Sequence, residues 1–189
     1  MKNFTVAEVE DDLSMIMDNF NSRERYIPSS KYLLKASGLI PLVSILLSFI
    51  SNIFSYMSVY SATASLEGFF YDFMTDGWVV VLPTAVIGMF FTFITYNNVL
   101  IFMSVPEGVR RKSVVLNHLA SVTRRIVILF LMLMLFSAFL STISPRYSFA
   151  IPALELVLLF FVNFIISAEV NRLGAGLALE KISKLINKI

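Results

Sequence analysis

The sequence predicts an all-α integral membrane protein, with four transmembrane helices and cytoplasmic amphipathic helices at the N- and C-terminal ends. Three observations carry this. Of 189 residues, 57% are hydrophobic and only 15% are charged, and phenylalanine alone occurs 18 times. A soluble domain averages about 25% charged residues. Uncharged stretches run over 36–66, 77–106 and 126–145, and a fourth, 147–168, is broken only by Glu155. A bilayer core of about 30 Å needs roughly 20 helical residues, and every stretch is that long. Finally, Lys and Arg fall unevenly, fourteen in the segments of one side and one in those of the other.

The elements follow in order. Residues 1–35 form a cytoplasmic acidic helix and linker. Thr5 and Glu8 have capping-box spacing. Val9, Leu13, Ile16, Met17 and Phe20 then recur at helical intervals over 5–21, opposite Glu10, Asp11, Asp12 and Asp18. Anionic lipid repels such a helix, so its apolar face is expected against protein. That protein is either the chain's own cytoplasmic loops, around Arg110–Lys112, or another chain. In the second case Val9, Leu13, Ile16 and Phe20 are the partner-docking residues. Ile27-Pro28-Ser29-Ser30 breaks the helix.

The transmembrane domain covers 36–170, with spans near 37–60, 77–104, 126–145 and 150–170. The first two exceed the bilayer thickness, which implies tilt or extension. Pro41 and Pro83 are expected in or near first turns, where a missing N–H does least harm. Pro145 and Pro152 bracket a tight turn. The first apolar run is too long and too distant for a cleaved leader. Residues 171–189 form a basic amphipathic tail, with Leu179, Ile182, Leu185, Ile186 and Ile189 against Lys181, Lys184 and Lys188. It reads either as a membrane-surface anchor or as a partner-binding helix. The charge asymmetry places both termini and loop 107–125 in the cytoplasm.

Within span one, Ser37, Pro41, Ser44, Ser48, Ser51, Ser55 and Ser58 are spaced alternately by four and three. That is a heptad seam of small or ring-constrained residues. Small residues let helix backbones approach closely in lipid. The seam packs against a helix of the same bundle, against another copy in a homo-oligomer, or lines a water path. Asn52, Tyr96, Asn97, Asn98 and Asn163 are expected to tie helices together. Glu155 is the intramembrane ionisable residue and needs a partner or water. Arg146 is its candidate partner near the outer end; a proton or ion site is the alternative.

Between spans one and two, Leu66, Phe69, Phe70, Phe73 and Met74 make one apolar face of a short helix. Glu67, Asp72 and Asp76 lie away from its centre. This outer segment is expected to lie flat in the interface, as a connector or as a membrane-state sensor.

No catalytic constellation is present in the sequence. Cysteine is absent, and His118 is the single histidine, expected as a solvated loop residue. No zinc-protease, P-loop or nucleophile-elbow motif occurs. No cofactor or metal site is expected, and the protein reads as non-enzymatic. Net charge is only +2, and the five cations of loop 107–125 are explained by topology, so direct nucleic-acid binding is not expected.

Length, four spans, inward termini, the acidic leading helix Thr5–Asn21 and the helical tail Leu173–Ile189 together resemble the KwaA family, membrane subunits of the Kiwa anti-phage defence system. The resemblance implies a self-associating sensor and scaffold in the bacterial inner membrane. It also implies a soluble, DNA-acting cytoplasmic partner similar to KwaB. At the same level the chain resembles the entry-exclusion proteins of conjugative plasmids. A small oligomeric channel or transporter is the rival class. It would line a wet path with the span-one seam, where a scaffold would pack it dry.

Overall fold

A computed structural model describes residues 4–21 and 28–173, and every regular element among them is helical. Helix α1 is Val6–Asn21, α2 is Ser30–Val59 and α3 is Leu66–Asp72. A π-helical turn, Phe73–Gly77, joins α3 to α4, Trp78–Ser104. Then come α5, Glu107–Lys112, and α6, Val114–Leu140. A 3₁₀ turn, Pro145–Phe149, leads into α7, Ala150–Arg172. Four of the resulting rods are long and apolar enough to cross a membrane: Ser30–Val59, Leu66–Ser104, Val114–Leu140 and Pro145–Arg172.

These rods form a four-helix bundle. α2 packs on α4, α6 packs on α7, and α2 and α7 meet across the centre, flanked by α4 and α6. The core is Leu47, Phe91, Phe130, Met134, Ala138, Ile151, Leu158, Leu159 and Val162. Around the perimeter, Leu39, Leu42, Phe90, Phe93, Phe136, Phe160 and Phe164 are all more than half exposed. Shielding each such side chain from water is worth roughly 1.5–3 kcal/mol, so this surface calls for an apolar solvent.

Several boundaries differ from the sequence expectation. α2 begins at Ser30, so Pro41 lies in the helix interior. Pro83 lies inside α4, which α3 and the π turn extend backwards. The expectation of first-turn prolines fails because the polar ends of both helices stay helical beyond the apolar runs. Transmembrane helices tolerate such prolines when neighbouring groups satisfy the freed backbone. Loop 107–125 is also mostly helix. α6 starts at Val114, where Ser113 Oγ accepts from Leu116 N (3.0 Å).

The segment expected to lie flat instead doubles back along α2. Tyr56 Oη accepts from Ser65 N and donates to Ser65 O, both at 3.2 Å, which closes the turn. Phe69 stacks edge-on against Phe49 and Tyr56, and Phe73 against Phe49. At the π turn, Asn52 Nδ2 donates to Gly77 O (3.2 Å). A Cβ at Gly77 would lie 2.8 Å from Phe73 Cδ2, so a side chain there would require the Phe73 ring to shift. The five-residue apolar face is therefore split. Phe69 and Phe73 face α2, while Leu66, Phe70 and Met74 stay exposed.

At the opposite, basic end, α1 lies across α5 and the start of α6. Ile16 packs with Val105, Val109 and Leu116, and Val9 packs with Val115. Asp12, 6% exposed, holds the contact. Its carboxylate accepts from Ser113 Oγ (2.7 Å), Val114 N (3.2 Å) and Val115 N (2.9 Å). One carboxylate thus satisfies orphan donors at the N-terminus of a helix distant in sequence. The capping box of α1 forms as expected, with Thr5 N donating to Glu8 Oε2 (2.9 Å) and Glu8 N to Thr5 Oγ1 (3.2 Å).

Candidate functional site

The buried face of α7 is Ile151, Pro152, Glu155, Leu158, Leu159 and Val162. Spacings of four, three and four place Glu155 on the core stripe between Ile151 and Leu158, both 0% exposed. Its side chain cannot snorkel outward and is itself 0% exposed. Neither carboxyl oxygen has a hydrogen-bond partner. Arg146, the expected partner, is exposed. The expected surface pair is overturned because the helical register turns Glu155 to the bundle axis.

Three helices converge on the carboxyl. From α4, Gly88 supplies bare backbone: a Cβ there would lie 2.8 Å from Pro41 Cβ and 3.2 Å from Glu155 Oε1. From α2 come Pro41, whose ring leaves the Ser37 carbonyl without its helical donor, and Ser44, which stands next to the carboxyl. The Ser44 hydroxyl donates instead to Ile40 O (3.2 Å) and Met134 Sδ (3.5 Å). An ionised carboxylate left unpaired in such surroundings costs several kcal/mol. The carboxyl is closely packed on the side of α4, against the bare backbone of Gly88.

The serine seam runs along the same axis. Ser37, Ser44, Ser48 and Ser51 are buried, Ser55 is half-buried and Ser58 is exposed. Ser37 donates to Leu33 O (2.9 Å), Ser48 to Ile45 O (2.8 Å) and Ser51 to Ser48 O (2.8 Å). Ser141 of α6's end donates to Ser51 O (2.9 Å), and Ser58 donates to Thr142 O. The buried hydroxyls donate to backbone carbonyls, and this part of the seam packs inside one chain. Its buried serines have no face left for a second copy, which corrects the homo-oligomer reading of these positions.

The docking residues are corrected in the same way. Val9 and Ile16 are buried and Leu13 is partly buried against the chain's own α5 and α6. The side chain of Phe20 lies outside the described residues, as does the basic tail from 174 onward. His118 is not a solvated loop residue. It sits in α6 with Nε2 3.3 Å from Glu169 Oε2, which also pairs with Arg172 Nη2 at 2.7 Å. Phe4 packs edge-on against its ring. Asn98 Nδ2 donates to Asn163 Oδ1 (3.1 Å), tying α4 to α7 as expected.

Sequence reasoning missed Asp12 as the cap of α6 and Gly88 as a contact, and it placed Pro41 on the seam without its closeness to Gly88 and Glu155. The burial of Glu155 carried a readable signal, the 151–155–158–162 spacing. Among the described residues, no cluster of three or more His, Cys, Asp or Glu side chains could hold a metal ion. No family model, curated protein or solved structure matches this chain.

Proposed function

We propose that this chain is a non-enzymatic multi-pass membrane sensor whose switch is the Glu155 carboxyl. The observation that carries the reading is a fully buried carboxyl without hydrogen-bond partners, packed against a glycine and an interior proline. A proton on Glu155 keeps the α2–α4–α7 contact neutral and closed. Its loss places a charge on the axis, and the contact must loosen until Ser44 or water reaches the oxygens. Pro41 supplies the weak point, because α2 lacks one backbone hydrogen bond there.

Burial of Ser37, Ser44, Ser48 and Ser51, each donating to a backbone carbonyl, supports the sensor over a pore. The setting we propose is the bacterial inner membrane with the basic end inside, as the Lys/Arg distribution favours. The layout resembling the KwaA family makes an anti-phage complex with a soluble cytoplasmic partner the first cellular context, and entry exclusion the second. With the α1 face occupied, a partner would use the basic tail.

The test is reconstitution in lipid nanodiscs, with Trp78, the single tryptophan, as reporter. Raising pH should shift wild-type emission reversibly and leave Glu155→Gln unmoved. An identical shift in both proteins would remove Glu155 from the switch.

A further inference from the structure

The basic end carries Arg110, Arg111, Lys112, Arg124 and Arg125, and the fold uses them differently. Arg111 pairs with Glu107 (2.6 Å). Arg110 lies over the Phe102 ring, 5.2 Å from its centroid, with Nη1 3.0 Å from Met103 Sδ. Arg124 and Arg125 are exposed on α6, and neither side chain has an acidic partner or a hydrogen bond among the described residues. An arginine on a membrane helix is costly without a counter-charge, so these two call for an acceptor from outside the chain.

Helix register fixes their depth. Ser44 meets Met134 and Ser141 meets Ser51, so α2 and α6 run parallel with an offset of 90 residues. Lys35, the last charged residue before the apolar run of α2, therefore stands level with Arg125, the last before that of α6. Toward the basic end from this level, α6 meets α7 through a polar contact, His118 to Glu169 (3.3 Å). On the other side the contact is aromatic, Phe130 to Phe161 with centroids 5.9 Å apart. Arg124 and Arg125 thus mark the plane where hydrocarbon gives way to headgroups.

The surface beside them fits an acyl chain. Arg125, Leu129, Met132 and Phe136 share one helix face at spacings of four, three and four, and the three apolar members are 58%, 59% and 61% exposed. In the other direction, Ser121 is exposed three residues before Arg124 and four before Arg125, which adds a hydroxyl to the same patch. A guanidinium donates bidentately to phosphate oxygens, and two uncompensated positive charges favour a headgroup of net negative charge. We propose that this face of α6 holds an anionic phospholipid, its phosphate on Arg124 and Arg125 with Ser121 Oγ donating, and an acyl chain along Leu129, Met132 and Phe136. The site is separate from Glu155 and does not rest on the proton-switch reading.

The test is native mass spectrometry of the full-length protein in detergent, titrated with phosphatidylglycerol or with phosphatidylcholine of the same acyl chains. Saturable retention of phosphatidylglycerol is expected, with phosphatidylcholine held at least about tenfold more weakly, the scale of two cations acting on one anionic headgroup. Arg124→Gln combined with Arg125→Gln should weaken phosphatidylglycerol by a similar factor. Arg111→Gln combined with Lys112→Gln removes the same charge from the same end and should bind as wild type. Soluble glycerol phosphate, which has the phosphate and no acyl chain, should not displace the lipid at equal concentration. Both double variants alter exposed side chains, and unchanged thermal unfolding checks their fold. Equal retention of the two lipids, undiminished binding by the Arg124/Arg125 variant, equal loss in both double variants, or displacement by glycerol phosphate would overturn the assignment.

Discussion

Glu155 and Gly88 act through a single contact, so their substitutions should behave as opposites. Glu155→Gln keeps the shape of the side chain and removes its titration. We expect its thermal unfolding in detergent to lack the loss of stability at raised pH that Glu155 confers on the wild type. The wild type should lose stability as pH rises, because the closed form holds a proton that the loosened form releases. Gly88→Ala adds a Cβ 2.8 Å from Pro41 Cβ, and overpacking of this kind costs about 1–3 kcal/mol. A lowered unfolding temperature in Gly88→Ala would report it; an unchanged one would show that the bundle yields there freely. The stripe through Ile151, Glu155, Leu158 and Val162 was legible in the sequence, since helical spacing alone fixes which residues share a face. That Gly88 and Pro41 close on the same point was not. Residues 47 positions apart meet only through tertiary packing, which no local pattern encodes.

Among the elements, the four spans were legible because apolar length is a strong local signal. Their ends were not, because polar residues such as Lys31 and Arg124 continue a helix once its apolar part is packed. The face Leu66–Met74 shows a further ambiguity: lipid and the wall of α2 ask for the same residues, so periodicity could not separate them. For the seam, we expect Ser48→Leu to weaken the folded bundle by about 1–3 kcal/mol, read by thermal unfolding, while Ser48→Ala stays near wild type. Oligomer mass should not depend on either. The α1 contact is held by a capping carboxylate that sequence could not assign, since Asp12 looked like one of several acids on a polar face. Asp12→Ala should cost about 1–2 kcal/mol, the upper range for a lost cap. Hydrogen exchange should then rise over 6–21 and at the start of α6, with the spans unchanged. Protection retained over 6–21 would mean that apolar packing of Ile16 suffices alone.

For the whole molecule, orientation rests on charge distribution and is tested by labelling. The chain contains no cysteine, so single cysteines report cleanly. Ala64 is exposed at the acidic end, and Gly108 is exposed at the basic end with open space around it. Ser113 is unsuitable, being buried and engaged with Asp12. In intact cells, Ala64→Cys should react with an impermeant thiol reagent and Gly108→Cys should react only after lysis. The reverse pattern would invert the topology. Infrared difference spectroscopy of the reconstituted protein measures the proton on Glu155 most directly. The carbonyl stretch of a neutral carboxylic acid should be present in the wild type, disappear reversibly as pH rises in step with the Trp78 emission change, and be missing from Glu155→Gln. A spectrum without that band at any pH, or the same band in Glu155→Gln, would show that Glu155 carries no titrating proton.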